Sequence, residues 1–189
     1  VGDDQKQHLE LCRDIAIKFN NDFNAKDFFT MPEPIISEDI SRVMSLRNGL
    51  QKMSKSEESD LSRINLTDDE DLIIKKIQKA KTDSEPIGLN IITGAERPEA
   101  RNLINIFSAL ANKKIKEVVL EWEGKIFSDF KKELSALLIE KILPIGKEIK
   151  KLKSNKDFLI KILENGKMKA NLVANKNLKE IKEIVGLAK

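Results

Sequence analysis

The sequence is poor in the residues that build disulfides, zinc sites and folds with many turns. Its 189 residues include one cysteine, Cys12, and one histidine, His8. A single cysteine excludes a disulfide within the chain, and one residue of each type argues against a structural zinc site. Eight glycines and five prolines are few for a β-sandwich. These scarcities favour a helical protein of the reducing cytoplasm.

Long apolar runs are also missing. The longest are pieces such as "ALLI" at 136–139, far short of the roughly 20 residues of a membrane-spanning helix.

Charged residues are abundant but unevenly distributed along the chain. Residues 113–189 hold 19 lysines and 11 acids, a balance of +8, whereas residues 1–112 hold 15 basic and 20 acidic residues, a balance of −5. The basic half suits a polyanionic partner, although a solvated lysine-rich surface explains the same charge.

Helical periodicity dominates the pattern of apolar residues. It predicts a first helix over residues 4–19, with an apolar stripe that should face a core. The stripe consists of Leu9, Cys12, Ile15, Ala16 and Phe19. Residues 41–46, "SRVMSL", have the composition of a short strand. His8 lies alone on its helix and is expected to pack or to form a hydrogen bond rather than to catalyse.

A bundle of helices is predicted from about residue 67 onward. Thr67-x-x-Glu70 reads as a capping box that opens a helix of about three turns. Its apolar stripe is Leu72, Ile73, Ile77 and Ala80, and its exposed lysines are Lys75, Lys76 and Lys79. Further helices are predicted from about Glu99 to Leu110 and in a short segment that Gly124 ends. A long helix is predicted from Phe127 onward, with a kink at Pro144. A last helix or pair of helices covers the final 30 or so residues, where Gly166 marks a break or a close contact.

The start of the chain has a different character. "VGDD" before a helix is typical of a strand-to-helix turn in a Rossmann-type α/β domain, yet no strands precede it. The fold class predicted is therefore mainly α: the remnant of a Rossmann-type α/β catalytic domain followed by a helical bundle. An independent small all-α protein is the alternative.

The stretch Lys52-Met53-Ser54-Lys55-Ser56, the KMSKS segment, carries a family resemblance. It reads as the second signature of class I aminoacyl-tRNA synthetases. Its flanks, "VGDDQKQHLELCRDIAIKFN" and "RVMSLRNGLQKMSKSEESDLSRINLTDDEDLIIKKIQKAKTD", closely resemble the tryptophanyl-tRNA synthetases. The resemblance covers residues 1 to about 110 well. The first class I motif is missing, as expected for a C-terminal fragment of such an enzyme.

The resemblance implies a set of site residues. Lys52 and Lys55 would act on the departing phosphates of ATP, with Ser54 and Ser56 as hydroxyl donors and Met53 against the adenine. ATP would also be bound by Gly2, Asp3 and Asp4 at the ribose, although Asp3 replaces the family's usual glutamate, and by the backbone of Val43 at the adenine. Gln5 would bind tryptophan. No metal ligand is implied in the chain.

The resemblance also implies partners and domains. The reaction uses ATP, Mg²⁺, L-tryptophan and tRNA, in a cytoplasmic homodimer. Residues 1–66 would end the catalytic domain, and residues 67–189 would form the helical anticodon-binding domain. The residue that recognises the indole is expected outside this chain. The fragment alone should not form the adenylate, because half of the ATP site is missing from it.

Two other interpretations remain open at the level of sequence. One is a tyrosine-specific class I synthetase, although the tyrosine enzymes differ in the turn at Gly2 and lack the "QHLEL" continuation. The other is a non-catalytic helical RNA-binding module built on residues 113–189. The aromatic residues Trp122, Phe127 and Phe130 could stack on bases, but their helical spacing predicts a place in the core. No arginine follows Arg101, so any base reading there falls to asparagine, glutamine or lysine.

Overall fold

The computed structural model describes residues 5–35, 42–93 and 96–187. Regular structure within these ranges is helical, apart from one isolated β-bridge. The helices are α1 (Lys6–Asp22), α2 (Glu70–Lys79), α3 (Asn90–Thr93), α4 (Pro98–Ala111), α5 (Ile115–Glu121), α6 (Phe127–Ser154) and α7 (Lys156–Ile184), with a 3₁₀ turn at Asp60–Ser62. The mainly α fold class is thereby confirmed.

Contacts divide the described residues into two units. The larger unit lies within residues 38–151, and the smaller unit combines described residues of 1–37 and 152–189. This division by contacts differs from the predicted functional boundary between residues 66 and 67, which stays a prediction. None of the described helices is long and apolar enough to cross a membrane.

The larger unit is organised around one apolar core to which α2 to α6 contribute. At its centre the fully buried ring of Phe130 contacts three other aromatic rings. The centroid distances are 5.2 Å to Phe107, 5.1 Å to Trp122 and 5.9 Å to Phe127. Each such buried ring stabilises the fold by roughly 1.5–3 kcal/mol. The prediction that these aromatics are core residues is confirmed.

The cap at the start of helix α2 differs from the prediction. The cap is not Thr67: the side chain of Asp69 accepts a hydrogen bond from the backbone N–H of Leu72 at 2.9 Å. Asp69 satisfies one of the free N–H groups at the helix start, so the predicted capping box is wrong.

At the C-terminal end of α2, Arg47 donates to the carbonyl of Lys79, and Lys131 Nζ donates to that of Ala80 at 2.7 Å. Both cations face the negative end of the helix dipole.

The predicted strand at 41–46 is also wrong. Within the described residues of this stretch the structure has a single antiparallel bridge, between Met44 and Lys52.

The prediction for α5 is confirmed: the helix ends at Glu121, and Gly124 follows with φ of +77°. Such a conformation favours glycine because it has no Cβ.

In the smaller unit, α1 does not bury its predicted stripe. Ala16 is its one buried residue, Cys12 is exposed, and Ile15 is 59% exposed. His8 is exposed as well. The ring of Phe19 does pack, against Phe23, Phe28 and Phe29 at centroid distances of 5.0, 5.7 and 4.8 Å. The helical periodicity therefore located the helix, but the expectation that Cys12 lies in the core is wrong.

Helix α7 runs without interruption through Gly166. A Cβ built on this glycine meets nothing within 4 Å, so Gly166 is neither a break nor a close contact. Gly146 in α6 differs, because a Cβ there would lie 2.6 Å from the carbonyl oxygen of Leu66. Pro144 lies inside α6; the kink predicted there stays a prediction. Gly146 thus allows the segment before α2 to approach α6 closely.

The two helical glycines predict opposite effects of the same substitution. Gly146→Ala should lower the free energy of unfolding by about 1–3 kcal/mol, because backbone must move to make room for the methyl group. Gly166→Ala should raise it by about 0.5–1 kcal/mol through the better helix propensity of alanine. Urea unfolding of each variant, followed by circular dichroism, measures both effects. A stabilised Gly146→Ala variant would contradict the close approach of Leu66.

Candidate functional site

The KMSKS segment emerges from a small hairpin. Besides the Met44–Lys52 bridge, the N–H of Met53 donates to the carbonyl of Val43 at 3.1 Å, and the N–H of Ser45 donates to that of Gln51 at 2.8 Å. A two-stranded pairing this short is marginal by itself. Its geometry must therefore be held from outside.

Helix α4 provides that support through Asn102. This side chain is buried, with 3% exposed, and accepts from the N–H of Met44 at 3.0 Å. Its amide donates to the carbonyl of Met44 at 2.8 Å and of Ser45 at 3.4 Å. The carboxamide of Asn102 thus forms hydrogen bonds with both the backbone N–H and the backbone carbonyl of Met44, the residue paired with Lys52 in the bridge. Buried polar groups need such partners.

The tip of the hairpin touches the start of the same helix. A Cβ on Gly49 would lie 2.4 Å from the carbonyl carbon of Pro98. Only a glycine allows such an approach of two backbones. The hairpin is therefore attached to α4 at its tip and beside its bridge, which fixes where Lys52 begins the segment.

The segment presents its charged groups outward. Lys52, Lys55 and Ser56 are exposed, whereas Met53 and Ser54 are half-buried. The hydroxyls of Ser54 and Ser56 lie 2.8 Å apart, and the Ser54 hydroxyl accepts from the N–H of Ser56 at 3.2 Å. Two cations and two hydroxyls within five consecutive residues form an arrangement suited to a polyanion.

Beyond the segment, the chain is anchored to α2 by a buried ammonium that the sequence analysis missed. Lys76 has 0% of its side chain exposed, and its Nζ lies 2.6 Å from Asp60 Oδ2 and 2.6 Å from Asp68 Oδ2. Asp68 also accepts from the N–H of Asn65 at 2.9 Å. A buried charge needs such partners. The prediction that Lys76 is exposed is wrong.

A sequence signal for this burial existed. Lys76 lies three residues after Ile73 and one before Ile77, so the helical spacing puts it on the buried stripe itself. Its partners lie 16 and 8 residues earlier, which no local pattern connects. Lys75, one position earlier, is exposed as predicted.

The other predicted site residues are distributed as follows. Gly2, Asp3 and Asp4 lie outside the described residues. Gln5 occupies the N-cap position of α1 in the smaller unit, without a side-chain capping hydrogen bond, and is exposed. Val43, 41% exposed, adjoins the segment through its carbonyl bond to Met53. Met53 packs partly against the bundle core, so a contact with adenine would use the part of it that remains exposed. The structure therefore brings Val43, Lys52, Met53, Ser54, Lys55 and Ser56 together.

A separate apolar cleft of about 700 Å³ lies between α2 and α6, bordered by Ile74, Phe127 and Ile139, with Lys131 and Asp83 at its polar side. None of the predicted site residues that the structure describes lines it. Burial lowers the pKa of Lys131, and the charge of Arg47 lowers this pKa further.

Comparison with known proteins now defines the class. The family model described as tRNA synthetases class I (W and Y) matches residues 1–143. Because this match spans more than half of the chain, the protein belongs to that family.

Individual relatives agree with this class. A tryptophan–tRNA ligase of Caulobacter vibrioides is 50% identical over 186 residues, which is 98% of this chain and 54% of that protein. One from Rickettsia conorii is 45% identical over 188 residues, 98% of this chain and 56% of its own length. The chain thus spans about half the length of the curated relatives it matches.

Solved structures share the fold. The tryptophanyl-tRNA synthetase of Mycoplasma pneumoniae aligns with a TM-score of 0.84 at 28% identity, over 100% of this chain and 55% of its own. That of Campylobacter jejuni, complexed with ADP and tryptophan, aligns with a TM-score of 0.66 at 29% identity, over 99% and 56%.

The buried ammonium predicts a large difference between adjacent lysines. Lys76→Met leaves Asp68 buried without its cation, which should cost about 3–5 kcal/mol of unfolding free energy. Lys75→Met, the matched exposed control, should change it by less than about 0.5 kcal/mol. Urea unfolding of both variants measures the difference. Equal midpoints would contradict the burial of Lys76.

The same cluster predicts a loss of stability in acid. The hydrogen bond from Lys76, then that from Asn65, holds the pKa of Asp60 below its ordinary value of 3.8. Because the folded pKa is lowered, this stabilisation is fully present above pH 3.8 and is lost as pH falls through the folded pKa. Thermal unfolding of the wild type against Asp60→Asn between about pH 2 and 6 should show the two melting temperatures converging in acid. A constant difference would show that Asp60 does not titrate in this way.

Proposed function

We propose that this chain forms the KMSKS-segment part of a tryptophan–tRNA ligase. The observation that carries the proposal is the exposed pair Lys52 and Lys55 in one short segment, whose two ends are held by α4 and α2. Tryptophan rather than tyrosine is favoured by relatives of 43–50% identity that are named tryptophan–tRNA ligases. Since the chain spans about half their length, the remaining parts of the site would come from the half it does not span.

The reaction has two steps. The carboxylate of tryptophan attacks the α-phosphate of ATP, a bond forms from the carboxylate oxygen to phosphorus, and the bond to pyrophosphate breaks. In the second step a hydroxyl oxygen at the 3′ end of the tRNA forms an ester bond to the tryptophanyl carbonyl, the bond to the adenylate phosphate breaks, AMP leaves, and the hydroxyl gives up its proton. In the first step negative charge builds up on the departing phosphates, so cations placed there lower the barrier.

Lys52 and Lys55 would meet that charge. Both side chains are exposed, and the hairpin fixes the backbone at Lys52. The hydroxyls of Ser54 and Ser56, now bonded to each other, would turn toward phosphate oxygens. A turn that grips the leaving group only as it departs stabilises the transition state more than bound ATP.

The other ATP and tryptophan contacts follow the family resemblance. Gly2, Asp3 and Asp4 would hold the ribose, Val43 and Met53 the adenine, and Gln5 the amino acid. Binding of both ligands by a relative is supported by the Campylobacter jejuni structure with ADP and tryptophan. Mg²⁺ would come with the ATP phosphates, because no cluster of acidic, histidine or cysteine side chains able to hold a metal occurs in the part of the chain that is described.

Residues 67–189 would form the anticodon-binding domain of a cytoplasmic homodimer. The balance of +8 over residues 113–189 supports a contact with tRNA phosphates. Many of these lysines lie on exposed positions of α6 and α7.

The decisive experiment is ATP–pyrophosphate exchange in the complete gene product that contains this chain. Exchange should depend on tryptophan and not on tyrosine. Lys52→Ala/Lys55→Ala should reduce its rate by at least about 10²–10³-fold, the usual effect of removing transition-state charge contacts. Lys75→Ala, an exposed lysine of α2, is the matched control and should leave the rate unchanged.

Other outcomes are equally informative. Exchange that depends on tyrosine would assign the chain to the tyrosine enzymes. Exchange that is indifferent to the two lysines, or absent altogether, would reject the proposed role of the KMSKS segment and leave the basic bundle as an RNA-binding module.

A further inference from the structure

An arginine downstream of the KMSKS segment lies inside the loop that the segment opens. Arg63 Nη1 donates to the carbonyl of Glu57 at 2.8 Å and reaches that of Ser54 at 3.4 Å. Its Nη2 lies 3.0 Å from Asp60 Oδ1. The side chain is 17% exposed. The loop from Ser54 to Asp60 therefore wraps around one guanidinium.

Arg63 contacts the middle of the loop, which the interactions at the two ends of the loop do not reach. The Met44–Lys52 bridge fixes the start, and Lys76 fixes Asp60 at the end. Between these points the chain turns at Lys55 and Ser56. Arg63 reaches this middle part through the carbonyl of Ser54, whose peptide joins Ser54 to Lys55.

Holding this carbonyl constrains the lysine that follows it. The orientation of the Ser54–Lys55 peptide sets the direction in which the Cα–Cβ bond of Lys55 leaves the backbone. A planar guanidinium with several fixed donors is well suited to hold two carbonyls and a carboxylate at once. Arg63 makes such contacts with the backbone carbonyls of Ser54 and Glu57 and with the carboxylate of Asp60.

We propose that Arg63 is a positioning residue for the KMSKS segment, holding its backbone so that Lys55 is presented beside Lys52 to the departing phosphates of ATP. The role rests on the proposed function of the two lysines. Arg63 itself touches neither ATP nor the reacting atoms; it acts through the Ser54 and Glu57 carbonyls. Its loss should therefore weaken a contact made mainly in the transition state, lowering kcat more than it raises KM for ATP.

The test compares Arg63→Met with Lys131→Met in the complete gene product. Lys131 also donates to a backbone carbonyl, that of Ala80 at 2.7 Å, but it lies on α6, outside the hairpin and the loop from Ser54 to Asp60, so it controls for losing a bond from a cation to a carbonyl. Arg63→Met should lower kcat for tryptophan-dependent exchange by about 10–100-fold, as misplacement of a reacting group does. KM for ATP should change much less, Arg63→Lys should restore part of kcat, and Lys131→Met should leave kcat near wild type.

The variants distinguish a failure of the role of Arg63 from a failure of the proposed function of Lys52 and Lys55. If the wild type is active and Lys52→Ala/Lys55→Ala is not, but Arg63→Met matches Lys131→Met, the role of Arg63 is wrong and the proposed function stands. If the wild type shows no exchange, the proposed function fails and the role of Arg63 fails with it.

A second readout needs no activity. Trypsin should cleave after Lys55 faster in Arg63→Met than in the wild type, while cleavage within α7 stays the same, because the turn loses its internal support. Arg63→Lys should lie between the two if the methionine variant folds poorly. Unchanged cleavage after Lys55 in both variants would overturn the proposal.

Discussion

The placement of the site depends on the buried ammonium of Lys76. A charge removed from water must be neutralised and hydrogen-bonded, and here Asp60 and Asp68 do both at 2.6 Å. Asp60 lies in the 3₁₀ turn that follows the loop, Asp68 precedes α2, and Lys76 lies within α2. The pairing therefore fixes the end of the loop in one register against α2. Such a pair adds little stability over an apolar replacement of the same shape, but its loss is severe because a charge would remain buried.

The start of the loop depends on a different helix and a different interaction. Asn102 of α4 satisfies the backbone of Met44, and Gly49 lets the hairpin tip meet Pro98. Helices α2 and α4 share one apolar core, to which Ile73, Ile77, Leu103 and Phe107 belong. The chain on both sides of the KMSKS segment is thus anchored to helices that pack in one apolar core. A site supported on helices in this way holds its geometry better than one supported on loops alone.

Sequence reasoning locates the helices because periodicity records which face is buried. It identifies the KMSKS segment through five letters and their flanks, which need no tertiary information. It cannot separate Lys76 from Lys75 by residue type, nor Gly146 from Gly166, because the difference lies in what approaches from elsewhere in the chain: Asp68 in one case and the carbonyl of Leu66 in the other. The capping-box motif favours Thr67 over Asp69, although both residue types are good caps. The predicted burial of Cys12 fails for the opposite reason, since its periodicity is correct but the described residues bring no core to that face of α1.

The contacts around the loop weaken from its ends toward its turn, and under the proposed function this order would matter for catalysis. Breaking the buried charge cluster costs several kcal/mol. Each bond from the Arg63 guanidinium is worth about 1.5–3 kcal/mol at most, and the neutral bond between the Ser54 and Ser56 hydroxyls about 1 kcal/mol. A polyanion can therefore replace the serine–serine bond at small cost, rearrange the turn over Arg63 at moderate cost, and leave the ends unmoved. A loop that must grip phosphates only while they depart needs this order, since a uniformly rigid loop would bind ATP and transition state alike and a uniformly loose one would have to be ordered at every turnover.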